Sequence, residues 1–392
     1  MEITKICFWV SIFLIIYPSV IYPSLVCLFG LIRPRRVKHR SWFPSVTVLI
    51  PAYNEAQNIA ATIQNKLDQD YPRDRVEIIV ISDGSTDGTD DIVRQFSSQN
   101  VRLIRREPRE GKAAALNEAV RFASGEILVF SDANSLFAPD AIRLMMENFA
   151  DPEVGYVTGN LNYKIQSAGI AGNGCSAYMK YENTLRTLET RAGSIIGVNG
   201  GVDAIRRELY RDVPRNLITD FVLPLHVIST KHRVVYDERV HSSEVANSEL
   251  GSEFRMRLRV SLRALQGIAY MRRLCNPFNY PWAAFSLTSH KVSRYFCFLF
   301  LSIAFATNLM LISYPGYRVL FIAQAIAYLL ALVGLRKGLP GILRNLSLVP
   351  AYFLVTNVAF AMAAIKFLQG ETMATWQPRA GAQPAERYNR AA

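Results

Sequence analysis

Val76-Glu-Ile-Ile-Val-Ile-Ser-Asp83-Gly-Ser-Thr-Asp-Gly88 is a run of β-formers that stops at an acid and a glycine. A short apolar run bounded by turn residues reads as a strand buried on both faces of a parallel sheet. The Asp-Gly turn after it leads into a helix over Thr89 to Ser97. The same grammar recurs on either side. Val46-Thr-Val-Leu-Ile50 ends at Pro51, and Asn54-Glu55 opens a helical stretch from Ala56 to Leu67. Val101-Arg-Leu-Ile104 precedes a helix over Lys112 to Ala123, and Ile127-Leu-Val-Phe130 ends at Ser131-Asp132. Strands alternating with helices predict an α/β fold with a doubly wound, mainly parallel sheet. Ligands of such sheets bind beyond the carboxyl ends of the strands, so Asn54, Asp83 and Asp132 are expected to converge.

The flanks have a different texture. Half of the 392 residues are hydrophobic, yet 19% are charged, which fits neither a purely soluble enzyme nor a pure transporter and suits a soluble domain with membrane segments. Ile6 to Ile32 is apolar and, at about 1.5 Å per helical residue, long enough to cross a bilayer with tilt. It has no small-x-small cleavage site and reads as a signal anchor, kinked at Pro18 and Pro23. Arg33, Arg35, Arg36, Lys38 and Arg40 follow it, which predicts that the next domain is cytoplasmic. The formal charge of +12 is thus concentrated where a chain meets membrane lipids, and no nucleic-acid partner is expected. The five cysteines form no C-x-x-C pair, so neither a zinc site nor a disulfide framework is indicated.

Beyond the sheet, a helix is expected over Ala177 to Thr190, then a turn, Gly197-Val-Asn-Gly-Gly201. Ser252 to Arg273 reads as a basic helix with a stripe of Leu258, Leu262, Leu265 and Ile268, which would lie on a membrane surface or pack against a neighbour. Apolar stretches follow at Phe296 to Ser313, Val319 to Leu335 and Leu348 to Leu368. The expected organisation is a membrane anchor with its basic run over 1–40, a cytoplasmic catalytic domain over 41–250, interfacial helices over 251–294, membrane helices over 295–370 and a tail over 371–392. This describes a multi-pass protein of the cell (inner) membrane.

Carboxylates at strand ends can accept hydrogen bonds from a nucleoside, and hard cations prefer oxygen ligands. Asp83 and Asp132 have that position, and Asp132-Ala-Asn134 offers a carboxylate and an amide carbonyl one residue apart. Lys112, just after Gly111 at a helix start, could reach a phosphate. Asp220 lies in the apolar run Leu217-Ile-Thr-Asp-Phe-Val-Leu223. A carboxylate there needs a reason, either a general base with a tuned pKa or a buried ion pair.

Together these residues resemble family 2 glycosyltransferases of the GT-A fold, particularly membrane-integrated bacterial polysaccharide synthases. Pro51-Ala-Tyr53-Asn54-Glu55 resembles the first nucleotide-binding motif and Asp83-Gly-Ser-Thr-Asp-Gly88 the second. Gly111-Lys112 with Leu116-Asn117 resembles the segment lining the diphosphate, and Asp132-Ala-Asn134 takes the D-x-D place. Gly200-Gly201 resembles the turn beneath the acceptor, Thr219-Asp220 the place of the catalytic base, and Arg259 the arginine of Q-x-x-R-W. Trp376-Gln-Pro-Arg379 resembles a gating-loop motif beside the acceptor.

The resemblance implies inverting transfer from a nucleotide-sugar donor, a UDP-sugar in the first instance, to a polysaccharide or lipid-linked acceptor. Mg²⁺ or Mn²⁺ is implied at Asp132 and Asn134, Asp220 as base, and Arg259 beside the departing diphosphate. Pro51, Tyr53, Asn54, Glu55, Asp83, Lys112 and Asp132 would bind the donor, and Gly200, Gly201, Trp376 and Arg379 would face the acceptor. The chain departs from the pattern at Asn134, at Thr219, where an acid is usual, and at Met256-Arg-Leu-Arg-Val260, which lacks the glutamine and tryptophan. Single-sugar transfer to a polyprenyl-phosphate or ceramide-like lipid is the alternative within the class. An inactive scaffold of the same fold is the alternative outside it.

Overall fold

The computed structural model describes residues 1–165, 170–246, 250–336 and 339–372. The chain begins with two apolar helices, α1 (Glu2–Ile16) and α2 (Tyr22–Ile32), joined by a π-helical turn over Tyr17–Ile21. Pro18 lies in that turn, where its missing N–H breaks the regular ladder.

The nucleus of the next unit is the succession read from the sequence: β1 (Val46–Ala52), α3 (Ile59–Leu67), β2 (Val76–Asp83), α4 (Thr89–Arg94), β3 (Val101–Arg106), α5 (Lys112–Val120) and β4 (Ile127–Ser131). The first helix starts later than the composition suggests. Asn54 adopts a left-handed φ of 53°, and the Glu55 carbonyl accepts both the Asn58 and Ile59 N–H groups, so regular winding begins only at Ile59.

Then come β5 (Leu136–Phe137), α6 (Ala141–Phe149), β6 (Val154–Ile165), α7 (Ile170–Ala192), β7 (Val202–Arg206), α8 (Thr219–Ser229) and β8 (Arg233–Ala246). The sheet order is β3-β2-β1-β4-β7-β6-β8-β5. β3, β2, β1 and β4 are mutually parallel, but β7 runs antiparallel to both β4 and β6, and β5 antiparallel to β8. The parallel character predicted from the first four strands therefore holds for that half, and the other half is mixed.

Alternate residues along the strands feed two cores. Leu49, Ile79, Ile81, Leu128 and Phe130 face α5 and α8, while Val48, Ile50, Ile78, Val80 and Val129 face α3 and α6. Burial on both faces is why these strands read as unbroken apolar runs.

Two consequences of the topology place the site. β1 pairs with β4 only from Val46 to Leu49, so the two strands part before Pro51 and open a crevice where the strand order reverses. The antiparallel entry of β7 sets Val202 beside Ser131, which brings the turn before it to the same sheet edge.

The basic helix is α9 (Leu250–Tyr270), followed by α10 (Pro281–Ser286), α11 (Ser293–Tyr295), α12 (Cys297–Met310), α13 (Pro315–Val333) and α14 (Gly341–Leu368). Leu258, Leu262 and Leu265 of α9 are buried against Ala359, Ala363 and Ala364 of α14, so the apolar stripe is a helix–helix contact. Glu2–Ile32, Pro315–Val333 and Gly341–Leu368 are each long and apolar enough to cross a membrane, and a fourth span results if Pro281–Tyr295 and Cys297–Met310, bent by 58°, count as one.

Candidate active site

The first two motifs are stitched together across β1 and β2. The Asn54 N–H donates to Ser85 Oγ at 3.1 Å, and the Thr86 N–H donates to Asn54 Oδ1 at 2.8 Å. The Glu55 N–H donates to Thr89 Oγ1 at 2.9 Å and the Ala56 N–H to Asp87 Oδ2 at 3.0 Å. Asn54, Glu55 and Asp87 therefore shape the crevice wall through the backbone. Pro51 lies on β1 beyond its pairing with β4, so its missing N–H breaks no bond to that strand.

Asp83, at the end of β2, is 5% exposed. Its two oxygens accept the N–H groups of Glu110 at 3.0 Å and Gly111 at 2.7 Å. They fix the loop that carries Arg109, whose guanidinium lies over the Tyr53 ring at 3.5 Å. Arg109 Nε and Nη2 are buried without a hydrogen-bond partner among the described residues. The guanidinium is ion-paired with Asp83, Nε to Oδ2 at 3.9 Å, and stands beside an aromatic face. Arg109 was not legible beforehand, since one arginine in a basic loop carries no pattern.

Gly111, with a φ of +94°, lets the chain turn sharply into α5. Lys112 is thereby placed at the helix N-terminus, in the middle of the crevice. Its ammonium donates to Asp132 Oδ1 at 2.7 Å and to the Gly200 carbonyl at 3.4 Å, and stands 3.5 Å from Asp220 Oδ2. The two carboxylates raise its proton affinity and outweigh its burial, so it stays charged. Asp220 sits in the first turn of α8. Burial raises the pKa of its carboxyl, opposed by Lys112 and by the hydroxyl of Thr219, which donates to Oδ1 at 3.1 Å.

Gly200 has a φ of +85°, and a Cβ on it would lie 2.3 Å from Asp220 Oδ2. Gly201 is equally confined, with Glu244 Oε1 2.6 Å from its would-be Cβ, and its carbonyl accepts the Ser135 hydroxyl. Asp203 of β7 is fully buried beneath this turn. An acid in the apolar strand Val202-Asp-Ala-Ile205 was the signal that could have found it.

The structure thus brings Lys112, Asp132, Gly200 and Asp220 together, with Tyr53, Asn54 and Asp83 on the neighbouring wall. Arg259 is half-buried on α9, one turn before Arg263. Arg263 donates to the Asn216 and Leu217 carbonyls in the approach to α8, and its pKa is lowered to about 10 by burial and by Arg259, against the pull of Asp220. Trp376 and Arg379 lie outside the described residues.

For a divalent cation the donors expected from the sequence would be Asp132 and Asn134. Among the described residues no group of three histidines, cysteines or acids could cage a metal. A hard cation bound through one carboxylate, a carbonyl and substrate phosphates needs no such cage, so the residues fit a metal shared with a diphosphate.

A parallel half-sheet with a crevice at its reversal point, a mixed half beside it and helices at both ends make up a GT-A fold. Residues 47–213 match the family described as glycosyl transferase family 2. Poly-beta-1,6-N-acetyl-D-glucosamine synthase of Staphylococcus epidermidis is 27% identical over 267 residues, 63% of this chain and 63% of that protein. Glycosyltransferase AglE of Haloferax volcanii is 33% identical over 133 residues, 33% of this chain and 44% of that one. The matches span 53% to 63% of the length of the synthases. Mannosyltransferase PcManGT from Pyrobaculum calidifontis, solved with GDP-Man and Mn²⁺, shares the fold with a TM-score of 0.72 and 24% identity, covering 94% of this chain and 99% of that one.

Proposed function

We propose that the chain transfers a sugar, with inversion, from a nucleoside-diphospho-sugar to a hydroxyl of a polysaccharide or glycan acceptor at the membrane, with a UDP-sugar as the first donor to test. The observation that carries this reading is the Lys112 ammonium, held between Asp132 at the end of β4 and Asp220 at the start of α8. It joins a donor-side acid to an acceptor-side acid across one crevice. The base would rest on the Tyr53 ring, with the Arg109 N–H groups as donors to it or to a phosphate, and Asp83 holding that loop in place.

Asp220 accepts the proton of the acceptor hydroxyl. The freed oxygen forms a bond to the anomeric carbon as the bond to the diphosphate breaks on the opposite side. Lys112 and the N-terminus of α5 stabilise the charge gathering on the departing diphosphate. Asp132 and Asn134 would hold a divalent cation that neutralises the same charge when bound.

A second reading, addition of one sugar to a lipid acceptor, is favoured by Val260, which is 42% exposed where the synthase pattern has a stacking tryptophan. The candidate spans and the basic run after α2 support a multi-pass protein of the cell membrane with its catalytic domain cytoplasmic.

The test is mass analysis of products made by the purified chain from a panel of UDP- and GDP-sugars, with Asp220→Asn alongside. Transfer should be lost in the variant while donor binding is kept. Transfer near the wild-type rate in Asp220→Asn would sink the assignment, and donor binding without any turnover in the wild type would leave only a scaffold.

A further inference from the structure

Asp203, beneath the Gly200 turn, is an acid that the transfer reading leaves without a task. It lies opposite Phe130 of β4 and Thr158 of β6 and is 0% exposed. A carboxylate so placed must have its oxygens satisfied. Oδ2 accepts the Tyr156 hydroxyl at 3.0 Å and the Gly200 N–H at 3.0 Å, and Oδ1 accepts the Thr158 hydroxyl. Thr158 Oγ1 also accepts the Asn199 N–H at 3.3 Å. Two successive amides of the acceptor-side turn therefore point down into the sheet, one onto Asp203 and one onto a hydroxyl bonded to it. The face of Gly200 above them is the surface against which Asp220 rests. Thr219, next to Asp220, brings a hydroxyl but no charge.

We infer that Asp203 is a positioning residue for the transfer reaction: through the Gly200 amide it fixes the seat of Asp220, and its negative charge keeps that carboxylate basic. The inference depends on Asp220 being the base. The titratable groups that face Asp203 are Tyr156 of β6, Lys112 of α5 and Asp220 of α8, and β4 brings only Phe130. Burial and the Asp220 charge push the Asp203 pKa up to about 7, against the donated hydroxyls and Lys112. Asp203 thus takes up and releases its proton near neutrality, and each release strengthens Asp220 as a proton acceptor.

The test is steady-state kinetics of the full chain from about pH 5.5 to about pH 8.5 for wild type, Asp203→Asn, Tyr156→Phe and Asp220→Asn. Wild type should show kcat rising through about pH 7. Asp203→Asn should lose that rise and fall by about 10-fold in kcat above it, with donor KM within about twofold, because only the proton acceptor is weakened. Tyr156→Phe keeps the charge but removes a donor that lowers the Asp203 pKa, so its rise should remain and move to higher pH. That arm decides the matter if Asp203→Asn fails to fold. A wild-type pH profile in Asp203→Asn, or an unmoved rise in Tyr156→Phe, would overturn the inference while an inactive Asp220→Asn keeps the base assignment. An active Asp220→Asn would remove both.

Discussion

Gly200 and Asp220 are fitted so closely that a single methyl group on the glycine would stand 2.3 Å from the carboxylate. The backbone there, at φ +85°, is also one that side chains strain to adopt. Gly200→Ala should therefore displace Asp220, with kcat falling about 100-fold. Donor KM should barely change, because Tyr53 and Asp83 lie at the ends of β1 and β2. Steady-state kinetics check this, and an unchanged kcat refutes the fit.

Lys112→Gln removes the charge shared by Asp132 and Asp220. Loss of one preorganised donor at a developing anion lowers turnover by about 100- to 1,000-fold. The two carboxylates would then face each other without a cation, so the variant should also take up a proton at higher pH than wild type. Rapid-quench turnover and a pH titration of activity measure both effects.

Asp83→Asn turns an amide N–H₂ toward one of the Glu110 and Gly111 N–H groups. Leaving a buried donor unsatisfied costs about 1–3 kcal/mol, here at the loop that carries Arg109. Donor affinity, read by calorimetry with the nucleoside diphosphate, should weaken by about 10- to 100-fold, with less effect on kcat at saturating donor.

Excess EDTA should stop transfer, and Mn²⁺ or Mg²⁺ should restore it, since Asp132 at the crevice, with Asn134 two residues on, would supply hard oxygen donors. Asp132→Ala should abolish the metal response. Full activity in EDTA would show that Lys112 and the α5 terminus neutralise the diphosphate alone.

Stability should depend on Asp203 with a definite sign. Its pKa is raised from 3.8 to about 7, so the folded state holds the proton more tightly than the unfolded chain does. That contribution is complete below about pH 4 and fades as pH rises through about 7. The melting temperature of Asp203→Asn should gain on that of wild type between about pH 5 and about pH 8. A constant difference would place the Asp203 pKa elsewhere.

Legibility followed burial. The parallel strands are covered on both faces, so they stand out as apolar runs whose ends mark Pro51, Asp83 and Asp132. β6 and β8 carry Asn160, Asn162 and His241 at less buried positions, which breaks the run and hid the mixed half. The Gly200 turn could be assigned only through resemblance, because its meaning lies in contacts with Asp220 and Asp203 from distant segments. Arg109 was invisible because stacking on Tyr53 joins residues of two loops. The stripe on α9 was legible as a pattern but not as a partner, since membrane surface and α14 satisfy it alike.

Glu189 of α7, 0% exposed, accepts the Tyr22 hydroxyl at 2.6 Å and lies 2.7 Å from His290 Nδ1. One partner belongs to α2 and the other to a segment 101 residues beyond the glutamate in sequence. In a nascent chain this acid can take the Tyr22 hydroxyl early, and it gains its second partner only when the block that carries His290 has been made. An excised water-soluble fragment ending before that block would carry an orphaned interior charge, and it should aggregate or be cleared by proteolysis rather than display activity.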